Sequence, residues 1–309
     1  MCCLFGLIDY RHSLTAKQKN RILSVLATAC EARGIDATGI AYNSAGELKV
    51  YKRPFPAHKM RFSVPEDAYT ILGHTRMTTQ GSASKNRNNH PFIGSAINGK
   101  FAFAHNGVLY NDRALRHALS LPKTRIETDS YIGVQLIEKE KALDFSSLRY
   151  VAEKVEGSFT FTALDQQDNL YIVKGDNPMC LCHFPTLGIY LYASTDAILK
   201  SALSRLWFSS KKYTELRLCC GEILKIDGQG KISRDTFDDS HLCFGMWWLY
   251  SHGNTRYSVP LRKAAEDPYL EEIKSVATAF GYTPEAIDRL SAMGFSPEEL
   301  EEFLYCGEI

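Results

Sequence analysis

What this chain has least of is an excess of either charge: 36 Lys and Arg stand against 35 Asp and Glu, a formal net of +1. A balance this even gives no whole-molecule field toward nucleic acid or an anionic membrane surface, and neither is expected as a partner. Long apolar runs are missing as well. The stretch Cys2–Ile8 has no basic flank and falls far short of the roughly 20 residues a spanning helix needs, so neither a signal peptide nor a membrane segment is expected. A disulfide ladder is also lacking. Nine cysteines is an odd number, and Cys2/Cys3, Cys180/Cys182 and Cys219/Cys220 are not spaced like the staples of a small secreted domain. The chain is therefore expected to be cytoplasmic and reduced. Repeated Cys or His pairs at zinc spacing are absent, so Cys180-x-Cys182-His183 is read as strand or core cysteine and no metal is expected.

What is there is ample material for a core, with 45% hydrophobic residues. Up to about residue 227 the pattern is mostly strands. Phe159–Leu164, Leu170–Val173, Ile189–Tyr192 and Ile223–Ile226 are short β-branched and aromatic runs bounded by turn residues. Ile22, Leu23, Leu26 and Cys30 repeat at helical spacing within Thr15–Ala32, with Gly34 placed to end that helix, and Tyr131–Lys141 reads as a second helix. Runs of strands with helices laid over them predict layered sheets of the α+β class.

The composition shifts after Ser233. Residues 234–265 carry Trp247, Trp248, Tyr250 and Tyr257 without a clear period and read as an aromatic connector. Residues 266–309 hold 11 acidic residues against Lys274 and Arg289, a net of −9 that leaves +10 on the rest. Three helix signatures follow one another there. Asp267-Pro268, Thr283-Pro284 and Ser296-Pro297 each place a capping residue before a Pro at the first helical position, and the segments run to Gly281, Gly294 and Gly307. With its Met293-Gly294-Phe295 turn, this tail resembles ubiquitin-associated (UBA) domains, which implies a small three-helix module.

The chemistry sits at the front of the chain. Cys2 follows Met1 directly, and removal of that Met would leave a thiol and a free α-amine on one residue. An α-amine titrates near roughly 7.7–8.0, so it can act as the thiol's own general base. Five further segments follow in order: Arg33-Gly34-Ile35-Asp36-Ala37-Thr38-Gly39-Ile40, Gly73-His74-Thr75-Arg76, Asn89-His90-Pro91, Ala104-His105-Asn106-Gly107 and Glu127-Thr128-Asp129-Ser130.

With Met1-Cys2 before them, these motifs resemble the class II glutamine amidotransferase domain, a member of the N-terminal-nucleophile hydrolases. The resemblance continues through Glu156-Gly157-Ser158-Phe159, Gly175-Asp176-Asn177-Pro178, Tyr192-Ala193-Ser194 and Gly221-Glu222, so a domain is expected over residues 1–233. It implies a four-layer αββα sandwich with L-glutamine as substrate, Cys2 as nucleophile, and the Asn106 amide with the Gly107 N–H as oxyanion donors. It further implies Arg76 on the substrate carboxylate and Asp129 on the α-ammonium. These residue types suit the ligand, since glutamine offers an anion, a cation and an amide. Arg33, Gly34, Asp36, His74, Thr75 and His105 are expected to shape the site from behind, and His90 to hold a loop. Two positions depart from the family pattern: Cys3 stands where Gly is usual, and Met77 where an aromatic is frequent.

No cofactor is required by this chemistry. Nothing after residue 227 reads as a synthase, so the ammonia acceptor is expected to be a separate enzyme or to be absent, with the acidic tail and the aromatic connector as candidates for docking a separate synthase. Two other readings stay open: an N-terminal-nucleophile amidase for another γ-glutamyl or amide substrate, and a non-catalytic scaffold that presents the tail to a partner.

Overall fold

Every residue of β1 (Cys3–Asp9) is buried, because strand alternation sends its side chains into two different cores. Cys3, Phe5 and Leu7 join one apolar cluster, and Leu4 and Ile8 join another. The strand follows Cys2 without a turn, so whatever fixes β1 also fixes the residue before it. The computed structural model describes residues 2–240, 242, 268–279, 283–292 and 300. They fall into two units, Met1–Leu242 and Cys243–Ile309, each described by itself.

In the first unit β1 is followed by α1 (Ala16–Ala29), β2 (Ala37–Ser44), β3 (Glu47–Arg53), β4 (Thr70–Arg76), β5 (Phe92–Ala96) and β6 (Gly99–Leu109). Three helices come next, α2 (Asp112–Ala118), α3 (Tyr131–Glu140) and α4 (Phe145–Lys154), then β7 (Gly157–Asp165), β8 (Leu170–Lys174), β9 (Cys180–Phe184) and β10 (Ile189–Ala193). The unit closes with α5 (Asp196–Leu203), β11 (Thr214–Leu216), β12 (Glu222–Ile226) and β13 (Ile232–Thr236).

Among the described residues the strands form two antiparallel sheets. One has the order β11-β9-β10-β1-β4-β2-β3 and the other β13-β12-β8-β7-β6-β5. Leu4, Leu72, Ala102, Ala104, Leu164, Ile172, Leu181 and Leu224 meet between them. The outer face of the first sheet packs on α1 and α5 through Phe5, Ile22, Leu26, Ile198 and Leu199, and that of the second on α3 and α4 through Phe103, Phe161, Leu136 and Leu148. This is the four-layer αββα sandwich. The four strands anticipated from the sequence are found within one residue at the end of β8 and of β10, two at the start of β7.

Local chemistry accounts for the helix starts. Thr15 caps α1 reciprocally with Gln18, and Asp144 caps α4 with Ser147. The end of the first helix differs from expectation: α1 tightens into a 3-10 turn over Cys30–Ala32, and Gly34 is not in the left-handed region. Its smallness is needed for another reason, given below. Lys19 of α1 is fully buried and ties the helix to the sheet, with Nζ 3.3 Å from Asp9 Oδ2, 2.7 Å from the Glu66 carbonyl and 2.9 Å from that of Ala68.

In the second unit, helices Pro268–Ala279 and Pro284–Ala292 each begin on the anticipated Pro. Ile273, Ala277, Ile287, Leu290 and Leu300 are buried together, and Lys274 Nζ bridges Glu271 and Asp288 at 2.6 Å each. The segment anticipated from Ser296 to Gly307 lies outside the described residues except for Leu300, as does the connector beyond Leu242.

Candidate active site

β1 lies between β4 and β10, and its first residue pairs with Thr75 near the end of β4. Cys2 therefore emerges beside Arg76. Its partly buried Sγ donates to the Met77 carbonyl at 3.4 Å, and its own carbonyl accepts from Arg33 Nε at 3.1 Å. Asp36 clamps the same corner. Its N–H donates to the Arg76 carbonyl at 2.9 Å, and its carboxylate accepts from the Thr78 N–H at 2.7 Å. A Cβ on Gly34 would stand 2.6 Å from the Arg76 carbonyl carbon and 2.8 Å from Met77 N, so glycine is required there for close approach rather than for a helix cap. Thr75 Oγ1 donates to the Cys30 carbonyl at 3.1 Å and fixes the turn after α1 to β4.

The two charged groups expected to grip a substrate are both buried. Arg76 Nη1 donates to Asn89 Oδ1 at 2.7 Å, and Nη2 to the carbonyls of Gln80 at 2.6 Å and Gly81 at 3.3 Å. Asp129 Oδ2 accepts the Leu109 N–H at 2.7 Å. Both lie close enough to Cys2 to act on its sulfur. Burial pushes the Cys2 thiol up, while the Met77 bond, the terminal ammonium and the Arg76 guanidinium pull it down and Asp129 pushes it up again.

The second sheet contributes Asn106 and Gly107 from β6. Ser194 Oγ links the sheets at this point: it accepts the Leu4 N–H at 2.8 Å and lies 3.3 Å from Asn106 Nδ2, while Asn106 Oδ1 has no partner among the described residues. Gly107 has φ +139°, and a Cβ there would collide with the Ser158 carbonyl, so only glycine fits.

Three buried histidines stand behind. His74 Nε2 donates to the His105 carbonyl at 3.0 Å, the His74 and His90 rings are 4.1 Å apart, and His105 lies 2.9 Å from Ser130 Oγ through Nδ1 and 3.3 Å from the Ser158 carbonyl through Nε2. Burial lowers all three, His74 to about 3, so they are neutral at physiological pH. His74 and His105 hydrogen-bond, whereas neither ring nitrogen of His90 has a partner among the described residues, so its expected loop-holding bond is not found and its ring packs against His74 and Phe92 instead.

The comparisons with known proteins fall on this same region. The family model described as the glutamine amidotransferase domain matches residues 74–201. The chain carries a glutamine amidotransferase domain. It is 32% identical over 188 residues to the glutamine–fructose-6-phosphate aminotransferase (isomerizing) of Listeria innocua, a match covering 59% of this chain and 30% of that protein. The counterpart from Sulfolobus acidocaldarius is 29% identical over 190 residues, covering 59% and 31%. The chain thus spans about three-tenths of the length of these curated relatives. The fold of the amidotransferase domain is shared with the glutamine phosphoribosylpyrophosphate amidotransferase of B. subtilis, at a TM-score of 0.61 and 19% identity over 77% of this chain and 49% of that one.

The amidotransferase domain also contains partners that sequence reasoning did not single out. Ser194 stood in a quoted motif without a role, and so did Asn89. Lys52 left no signal at all, being one cation in a strand of mixed polarity. Its Nζ donates to the carbonyls of Asn89 at 2.5 Å and Pro91 at 2.9 Å, and burial, then Arg76, brings it down to about 8. Of the two departures, Cys3 points into the helix-side core beside Cys30, away from the Cys2 face, so it adds nothing next to the thiol. Met77 is 45% exposed.

Proposed function

We propose that the amidotransferase domain hydrolyses the side-chain amide of L-glutamine, with Cys2 as nucleophile once Met1 has been removed. The observation that carries this reading is a thiol next to the chain end with a buried guanidinium, Arg76, and a buried carboxylate, Asp129, both near enough to shift it. Arg76 receives the substrate carboxylate and Asp129 the α-ammonium, which leaves the amide carbon over the sulfur.

The Cys2 α-amine takes the thiol proton as sulfur attacks, and the developing oxyanion is met by Asn106 and the Gly107 N–H. For Asn106 the hydrogen-bond arithmetic favours one orientation. Ser194 Oγ already accepts the Leu4 N–H, so its own hydrogen needs an acceptor. Asn106 Oδ1 supplies one when the amide is turned over, which frees Nδ2 for the oxyanion. The ammonium proton then passes to the leaving nitrogen, ammonia departs, and water deprotonated by the same amine cleaves the γ-glutamyl thioester to glutamate.

Mass spectrometry of the N-terminus together with a glutamate assay tests the reading. A chain beginning at Cys2 that releases glutamate and ammonia, and loses both on Cys2→Ala, supports it. Hydrolysis of another amide but not glutamine would favour the broader amidase reading, and retention of Met1 in an inactive chain the scaffold reading.

The ammonia passes to a separate synthase, and the acidic tail is its docking element. Deleting residues 266–309 is expected to spare glutamine hydrolysis and abolish association with that synthase; undiminished association refutes the docking role.

A further inference from the structure

Residues 180 and 182 alternate onto the same face of β9, where they are buried at the edge of the helix-side core. The edge strand β11 sets Glu215 opposite Cys182, and α5 begins at Asp196 over the same corner. Cys180 Sγ lies 3.7 Å from Glu215 Oε1. One ligand atom each from Cys180, Asp196 and Glu215 lie within 4.8 Å of one another, and Cys182 shares the face of β9 with Cys180 and stands opposite Glu215. Three groups that bind metals as anions thus converge from three separate elements, with the Cys182 thiol as the neighbouring donor.

A tetrahedral zinc centre has bonds of about 2.3 Å to sulfur and 2.0–2.2 Å to carboxylate oxygen, which spaces its ligand atoms roughly 3.4–3.7 Å apart. The Cys180–Glu215 separation already has that value, and Asp196 lies within 4.8 Å of both. We propose that Cys180, Cys182, Asp196 and Glu215 form a binding site for a thiophilic divalent cation of the zinc class. Two sulfur donors disfavour calcium and magnesium, which take oxygen ligands.

A dication bound there displaces the thiol protons. Lys200, which pairs with Asp196 at 2.7 Å on the exposed rim, swings into solvent as the carboxylate turns inward. The bound ion would tie β9, β11 and the start of α5 together. It would stand two residues from Ser194, the residue that touches both Leu4 and Asn106.

Cobalt(II) titration of the full chain, stripped with a chelator, tests the proposal. One equivalent is expected to give the intense visible bands of a tetrahedral ion and a sulfur-to-cobalt charge-transfer band, displaced by zinc. Cys180→Ser should abolish the charge-transfer band or shift it, and Glu215→Gln, on an exposed edge strand that tolerates the change, should weaken binding roughly tenfold or more. Cys2→Ala should leave the spectrum intact. Absence of tetrahedral bands, their persistence unchanged in both Cys180→Ser and Glu215→Gln, or their loss in Cys2→Ala would overturn the assignment.

Discussion

His74 of one sheet donates its Nε2 hydrogen to the main-chain carbonyl of His105 in the other at 3.0 Å, directly behind the residues that approach Cys2. Burial holds its imidazole down to about 3, against an ordinary value of 6.5. Between those values the unfolded chain binds a proton that the folded chain does not. The stability this group contributes is therefore full above pH 6.5 and is lost as pH falls toward 3, at about 1.4 kcal/mol per pH unit. Urea unfolding at a series of pH values should show this slope in the parent chain and its reduction by about one proton in His74→Gln. An unchanged slope would count against a neutral His74.

Asn106→Ala removes a donor to the charge that develops on the substrate oxygen. We expect kcat to fall roughly 10²–10³-fold with KM little altered. Ser194→Ala should have a smaller effect on kcat and cost about 1–3 kcal/mol of stability, since it leaves the buried Leu4 N–H without its acceptor. Steady-state glutaminase kinetics and denaturant melts separate the two effects.

Arg76→Lys keeps the charge but loses the planar fork. Charge-assisted hydrogen bonds contribute about 1.5–3 kcal/mol, so the KM for glutamine should rise roughly ten- to a hundredfold. A larger loss in kcat than in KM would mean that the variant has disturbed the Gln80–Gly81 turn and Asn89, which the guanidinium also holds.

Lys19→Met leaves Asp9 fully buried without its cation and should destabilise the domain by about 3–5 kcal/mol. Adding Asp9→Asn should recover part of this, because the amide carries no charge, although its single oxygen can accept from only one of the Ser13 and Leu14 N–H groups that the two carboxylate oxygens now serve. Chemical denaturation of the four chains in the cycle measures the coupling.

Much of the fold was legible from the residues alone. The apolar runs at Phe159–Leu164 and Ile189–Tyr192 lie in strands because their side chains are buried on both faces. The Pro-led helices of the tail start where their capping chemistry places them. The short helices α2 and α5 left no pattern, since 7 and 8 residues span barely two turns and a stripe that brief has no period to detect. Gly34 was visible as a glycine but misread as a helix stop, because its constraint comes from Arg76 and Met77, some forty residues away.

Sequence by itself determined that a thiol stands directly after Met1, the order of the motifs and the caps and alternation of individual elements, all of which depend on neighbours a few positions apart. Only the tertiary structure decided that β1 lies between β4 and β10, and with it that Cys2 meets Arg76 and Ser194 reaches both Leu4 and Asn106. It likewise brought Asp196 and Glu215 to Cys180. The physical reason is that strand order is set by how whole faces bury against one another, an energy summed over many distant side chains that no local pattern records.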